Sequence, residues 1–64
     1  MGYDLYYARS VRALVHHDLY PCALLDARER AFKSGRTVLI KNAWDGSTYA
    51  VVSPDGSVSS PAQA

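Results

Sequence analysis

The sequence predicts an α+β fold in which two helices pack on a small antiparallel β-meander of two to three strands. Three observations support this prediction. Apolar residues recur at helical spacing in the first half of the chain, β-branched residues cluster in the second half, and turn sequences separate those clusters. Because one face of the sheet must be covered and only the helices can cover it, we expect two layers.

The first predicted helix covers about residues 5–17. Its apolar positions recur at the spacing of one helix face: Tyr7, Val11, Leu14 and Val15. The alternation of tyrosines over residues 3–8 is also typical of a short strand, so a strand before a shorter helix is the alternative.

The second predicted helix covers about residues 21–34. Pro21 suits its first turn, and Gly35 suits its C-terminal stop. The predicted apolar stripe consists of Leu24, Leu25, Ala31 and Phe32. The other side carries two i, i+4 pairs of opposite charge, Asp26 with Arg30 and Glu29 with Lys33.

The second half of the chain predicts a meander. Strands are expected at residues 37–40 and 47–52, with a short edge strand at 57–60, separated by the turns Asp45-Gly46 and Pro54-Asp55-Gly56. Two registers are open. A two-residue turn places one set of residues on one face: Val38, Ile40, Trp44, Tyr49 and Val51. A three-residue turn with a bulge at Gly46 instead groups Val38 and Ile40 with Ala50 and Val52.

Length and charge bound the function. The 64 residues predict one domain over residues 1–60 and a frayed tail over 61–64. The net charge of +1 makes nucleic acid a less favoured partner, and no apolar run approaches the roughly 20 residues of a membrane span. With no secretory signal and a lone Cys22, we expect the cytoplasm. A core this small predicts a homodimer or a tight complex with another protein.

Catalytic motifs are missing from the sequence, so we expect no enzyme, no metal and no cofactor. There is no glycine-rich phosphate loop, no cysteine pair and no Ser–His–Asp arrangement. His16 and His17 are adjacent, and adjacent helical side chains point about 100° apart, which prevents both from reaching one ion. Cys22 is interpreted as small buried filler.

Arginines and aromatic residues predict a partner-binding surface, because both are enriched in protein interfaces. On the predicted first helix, Arg9, Arg12 and His16 form a row opposite the apolar side. Within the second helix, Arg28 lies in the apolar stripe and is expected to reach solvent, to pair with an acid or to lie at an interface. The predicted partner-binding residues are Tyr6, Arg9, Arg12, His16, Arg28 and Trp44.

A helix leading through Gly35 into RTVLIKNAWDGSTYAVVSPDG (residues 36–56) resembles the small accessory proteins of phages and mobile elements, and in particular some anti-CRISPR proteins. The resemblance covers about residues 20–58 and is architectural, so it transfers no functional residue. It implies a non-enzymatic inhibitor that sterically blocks a Cas protein or complex, in the cytoplasm of the bacterial host if the chain is phage-encoded. The alternative function is a small dimeric nucleic-acid-binding or regulatory protein.

Overall fold

A five-stranded antiparallel sheet, covered on one face by one helix, forms the fold of residues 2–60, the part of the chain that the computed structural model describes. The order of strands across the sheet is β2-β1-β3-β4-β5. The predicted tail at 61–64 lies outside the described residues. In chain order the elements are β1 (Tyr3–Tyr7), β2 (Val15–His17), α1 (Tyr20–Ser34), β3 (Val38–Asn42), β4 (Thr48–Val52) and β5 (Val58–Ser59).

The prediction of two helices on a two- to three-stranded meander is wrong, because residues 5–17 form a hairpin rather than a helix. Leu5 pairs with Val15 on one side and with Ile40 on the other, so β1 lies inside the sheet. A strand with two neighbours satisfies its backbone groups on both edges, which outweighs a helical recurrence of apolar residues. Val11, part of that recurrence, is 94% exposed in the β1–β2 loop. The alternative of a strand near residues 3–8 is therefore the one that the structure adopts.

The helix expected at about 21–34 is confirmed as α1. Pro21 lies in its first turn, where a missing N–H costs nothing. Gly35 ends it in the left-handed conformation, with φ of 68°, and donates its backbone N–H to the carbonyl of Ala31 at 2.9 Å. No helix within residues 2–60 is long and apolar enough to cross a bilayer.

Three alanines attach α1 to the sheet. Ala23, Ala27 and Ala31 recur every four residues, and all three are fully buried. Their small side chains let the helix backbone approach the strands closely. The side chains of the strands that complete this core are Leu5, Val38, Ile40, Ala50 and Val52. The predicted apolar stripe is correct for Ala31 and wrong for Leu25 and Phe32, which are 68% and 78% exposed.

The β3–β4 register follows the second alternative, with Val38 opposite Val52 and Ile40 opposite Ala50. The register shifts between Ile40 and Lys41, which leaves Tyr49 as the extra residue, whereas the predicted bulge was at Gly46. Tyr49 joins an aromatic cluster at the start of α1. Its ring centroid lies 4.9 Å from that of Tyr20 and 5.4 Å from that of Tyr3.

Replacing Ala27 with leucine tests the close approach of α1. The larger side chain has no space at the helix–sheet contact, so Ala27→Leu is expected to lower the free energy of unfolding by about 1–3 kcal/mol. Urea denaturation, monitored by circular dichroism, measures this free energy of unfolding. The matched control is Ala13→Leu in the exposed β1–β2 loop, expected to change stability by less than about 0.5 kcal/mol. Equal stability of the two variants would contradict the packing described.

Candidate protein-binding surface

The side of α1 that faces away from the sheet carries two large apolar side chains with two opposite charges between them. We call this surface the α1 outer face: Leu25, Arg28, Glu29 and Phe32, all exposed. Leu25 and Phe32 are seven residues apart, so they point in nearly the same direction. Arg28 lies on one side of the line that joins them, and Glu29 lies on the other.

The packing of α1 explains why these apolar side chains face solvent. With the alanines turned toward the sheet, the opposite side of the helix holds the residues that a local pattern would bury. The neighbours Leu24 and Leu25 differ in burial for this reason: Leu24 packs partly buried against the core, and Leu25 is exposed. Leu25 and Phe32 are thus exposed on the same side of one helix, two turns apart.

An open groove of about 480 Å³ adjoins the α1 outer face. Arg28, Glu29 and Phe32 line it from the helix, and the β4–β5 turn lines it from the other side through Pro54, Asp55 and Gly56. A side-chain carbon placed at Gly56 would lie 4.0 Å from a guanidinium nitrogen of Arg28, so this arginine extends toward the turn. Arg28 forms no ion pair with another residue of 2–60. Its charge is available to a partner.

A hydrogen-bonded network fixes the rotation of α1 and hence the direction of its outer face. The ring of His17 in β2 and the guanidinium of Arg30 both hydrogen-bond the carboxylate of Asp26, at 2.7 and 2.8 Å. Burial by itself raises the pKa of Asp26, but the hydrogen bonds from His17 and Arg30 together hold it below its ordinary value. Both predicted i, i+4 pairs are confirmed, Asp26–Arg30 at 2.8 Å and Glu29–Lys33 at 3.7 Å.

The residues predicted to bind a partner do not form one surface. Tyr6 lies half-buried on the sheet face opposite α1, with the Lys41 ammonium 4.7 Å above its ring. Arg9 and Arg12 are exposed in the β1–β2 loop, and the predicted row that joins them to His16 on one helix face does not exist. Arg28 is on α1, across the sheet from Tyr6.

Trp44 is remote from the arginine loop as well. It lies 57% exposed in the turn after β3. Because Tyr7 at the end of β1 pairs with Val38 at the start of β3, the β1–β2 loop and the β3–β4 turn lie at opposite ends of the sheet. One partner could contact Trp44 and Arg9 together only by spanning the whole domain.

His16 is engaged within the chain. On the open sheet face its Nδ1 lies 2.7 Å from the Asp4 carboxylate, and its Nε2 lies 3.2 Å from that of Asp18. The hydrogen bond with Asp4, followed by that with Asp18, raises the pKa of His16 above its ordinary value despite partial desolvation. No cluster of three or more His, Cys, Asp or Glu side chains suited to a metal ion occurs in the described range.

Leu25, Glu29 and Phe32 were missed as site residues, although the sequence contains a pattern that could have identified them. Alanines at 23, 27 and 31 form a small-residue stripe on a helix of otherwise large side chains. Such a stripe is typical of close packing against a sheet, and it places Leu25 and Phe32 outward. The predicted stripe was wrong because it took the arc of the helix with the large apolar residues, instead of the neighbouring arc of alanines, as the buried side.

Comparison with known proteins does not identify the chain: no family model matches it, and no curated protein or solved structure is significantly similar to it.

The His16–Asp4 contact predicts a pH dependence of stability. A raised pKa in the folded state means that the folded chain holds the His16 proton more tightly than the unfolded chain. This stabilisation is complete below about pH 6.5, the ordinary pKa. It is lost as the pH rises through the higher folded pKa. Urea denaturation between pH 5.5 and 8.5 should show a contribution from His16 that is constant below about pH 6.5 and decreases above it, and His16→Gln should flatten the decrease. An unchanged slope in His16→Gln would refute the assignment.

Proposed function

We propose that the chain is a non-enzymatic protein-binding module and that the α1 outer face is its contact surface. The observation that carries this proposal is the exposure of Leu25 and Phe32, 68% and 78%, on a regular helix whose buried side is made of alanine. Covering apolar surface contributes about 25 cal/mol per Å². Binding of a partner that covers both side chains is therefore favoured by the burial of their apolar area.

The charges of the face support the same function. Arg28 stands beside the apolar pair without an ion-pair partner in residues 2–60, and it borders the groove under the β4–β5 turn. Aromatic and arginine side chains together are typical of the few residues that dominate binding energy in interfaces. The groove offers a partner an apolar wall in Phe32 and a cation in Arg28, which together favour recognition of a protein side chain.

The compartment and the inhibitor class belong to this proposal as well. The prediction that Cys22 is buried filler is wrong, because its side chain is exposed in the first turn of α1. An exposed free thiol is compatible with a reducing cytoplasm. The resemblance to anti-CRISPR proteins names a Cas protein or complex as the target, and this narrower identity stays a prediction. A plasmid-interference assay in cells with an active Cas system tests it, since the chain should restore plasmid survival. Unchanged interference with a panel of Cas types would exclude the inhibitor function but would not argue against the α1 outer face as a binding surface.

A capture experiment tests the binding face. The tagged chain is co-expressed with an untagged copy in bacteria, the lysate is treated with nuclease, and retained proteins are identified by mass spectrometry. The wild type should retain a defined protein, and the variant Leu25→Ser/Phe32→Ser should lose it because the apolar anchors are gone. Val11→Ser is the matched control, since Val11 is an exposed apolar residue away from α1. Retention of the same proteins by the double variant would exclude the α1 outer face.

One observation favours nucleic acid as a second candidate partner. Arg36 stacks on Tyr7, its guanidinium carbon 4.3 Å from the ring centroid. The N–H of Ala8 bonds the carbonyl of Thr37, which joins the β1–β2 loop to the segment after α1. The exposed arginines Arg9, Arg12 and Arg36 are thus attached to the same end of the domain.

Salt dependence tests the nucleic-acid alternative. Three arginine–phosphate contacts predict that the logarithm of the binding constant falls against the logarithm of salt concentration with a slope of about −3. Fluorescence anisotropy with a labelled 20-base-pair duplex and a labelled single strand measures it. The variant Arg9→Glu/Arg12→Glu should reduce the slope in magnitude to about −1. A flat salt dependence, or no binding at low salt, would exclude this candidate.

A further inference from the structure

We propose that the occupant of the α1 outer face is a second copy of this chain, related by a two-fold axis parallel to α1 so that the two helices run in the same direction. This inference rests on the proposed function, because it names the partner of the same binding face. The arrangement of the four residues of the face indicates which partner fits it.

The apolar residues of the face match themselves. A two-fold axis parallel to the helix places equivalent residues at equal heights, so Leu25 lies against Leu25 and Phe32 against Phe32 of the second copy. These residues are about 10 Å apart along α1, two helical turns. Residues seven apart correspond to one of the two apolar positions per heptad in a parallel coiled coil, and the use of the same patch on both copies makes the interface isologous.

The charges favour parallel helices over antiparallel ones. Arg28 and Glu29 stand on opposite flanks of the Leu25–Phe32 line. A two-fold axis parallel to the helix brings each flank against the opposite flank of the second copy, so Arg28 faces Glu29 on both sides of the seam. An axis perpendicular to the helix brings like flanks together, so Arg28 would face Arg28 and Glu29 would face Glu29. Opposite charges attract and like charges repel at such flanking positions.

The size of the face sets the expected affinity. A helix of 15 residues is about 22 Å long, and pairing it with a copy buries on the order of 1,000 Å². That area is near the lower limit of specific interfaces, so the dimer is expected to be weak. The groove beside Phe32 leaves space for its ring to adjust on pairing.

Sedimentation equilibrium of the whole chain from about 1 to 500 µM tests the dimer. The wild type and Val11→Ser should dimerise alike, and Phe32→Ser should raise the dissociation constant at least about tenfold. Because Phe32 is 78% exposed, this variant should keep its helical circular dichroism, which verifies its folding. A wild-type chain that stays monomeric throughout, or a dimer indifferent to Phe32→Ser, would overturn the proposal.

Charge exchange tests the pairing of Arg28 with Glu29. Arg28→Glu and Glu29→Arg should each weaken the dimer several-fold at low salt, because each variant places like charges across both sides of the seam. The combined variant Arg28→Glu/Glu29→Arg should return the dissociation constant to within about twofold of wild type. Arg12→Glu is the control, since it reverses an exposed charge in the β1–β2 loop, outside α1, and should dimerise like the wild type. Single variants that dimerise like the wild type would contradict the charge pairing.

Cys22 reports the direction of the helices. It is exposed and the only cysteine of the chain, so one nitroxide label attaches there. Parallel helices place the two Cys22 residues at equal height, separated only by the roughly 10 Å between helix axes and the label arms. An antiparallel pair centred between Leu25 and Phe32 would add about 20 Å along the axis. Strong dipolar broadening, abolished by Phe32→Ser, is expected, and its absence in the wild-type dimer would refute the parallel arrangement.

The two proposals can fail separately. If the chain is monomeric but retains another protein through Leu25 and Phe32, the second copy is excluded and the protein-binding function stands. If the chain is monomeric and the double variant Leu25→Ser/Phe32→Ser captures the same proteins as the wild type, both proposals are excluded.

Discussion

The close contact between α1 and the sheet is the constraint on which the rest of the structure depends. Eight side chains are fully buried within residues 2–60, and half of them are alanines. Alanine buries little apolar area, but it allows helix and sheet backbones to approach at a distance that larger side chains would prevent. The consequence is a thin core and a helix whose large apolar residues have no place inside it.

Interactions at the borders of α1 supplement this thin core. The Tyr3–Tyr20–Tyr49 cluster packs the start of the helix on the sheet, and the bond between His17 and Asp26 ties the side of the helix to β2. Aromatic packing and charge-assisted hydrogen bonds depend on orientation, whereas alanine contacts depend mainly on distance. The border contacts therefore determine the rotation of α1. That rotation directs Leu25 and Phe32 into solvent.

The small size of the domain accounts for its thin core and favours the proposed function. A domain of this length buries only about 60% of the surface that its unfolded chain exposes, so part of its apolar surface is left for association. A second copy on the α1 outer face would join two thin cores through a layer of Leu25 and Phe32. The surfaces formed by the β1–β2 loop and the β3–β4 turn would stay accessible in such a dimer.

Local sequence determined the elements that local chemistry specifies. Pro21 and Gly35 delimit α1, the Asp26–Arg30 pair forms at its i, i+4 spacing, and the β-branched run at Val38 enters a strand, all as predicted. The tertiary structure decided what depends on distant partners. Residues 5–17 become a hairpin because β3 supplies β1 with a second edge of hydrogen bonds, and Tyr49 bulges toward α1, where Tyr20 packs against it. The direction of Leu25 and Phe32 is of the second kind. A helix can bury either its alanines or its large residues, and the contacts of α1 with the strands, those at Tyr20 and Asp26 included, select between them.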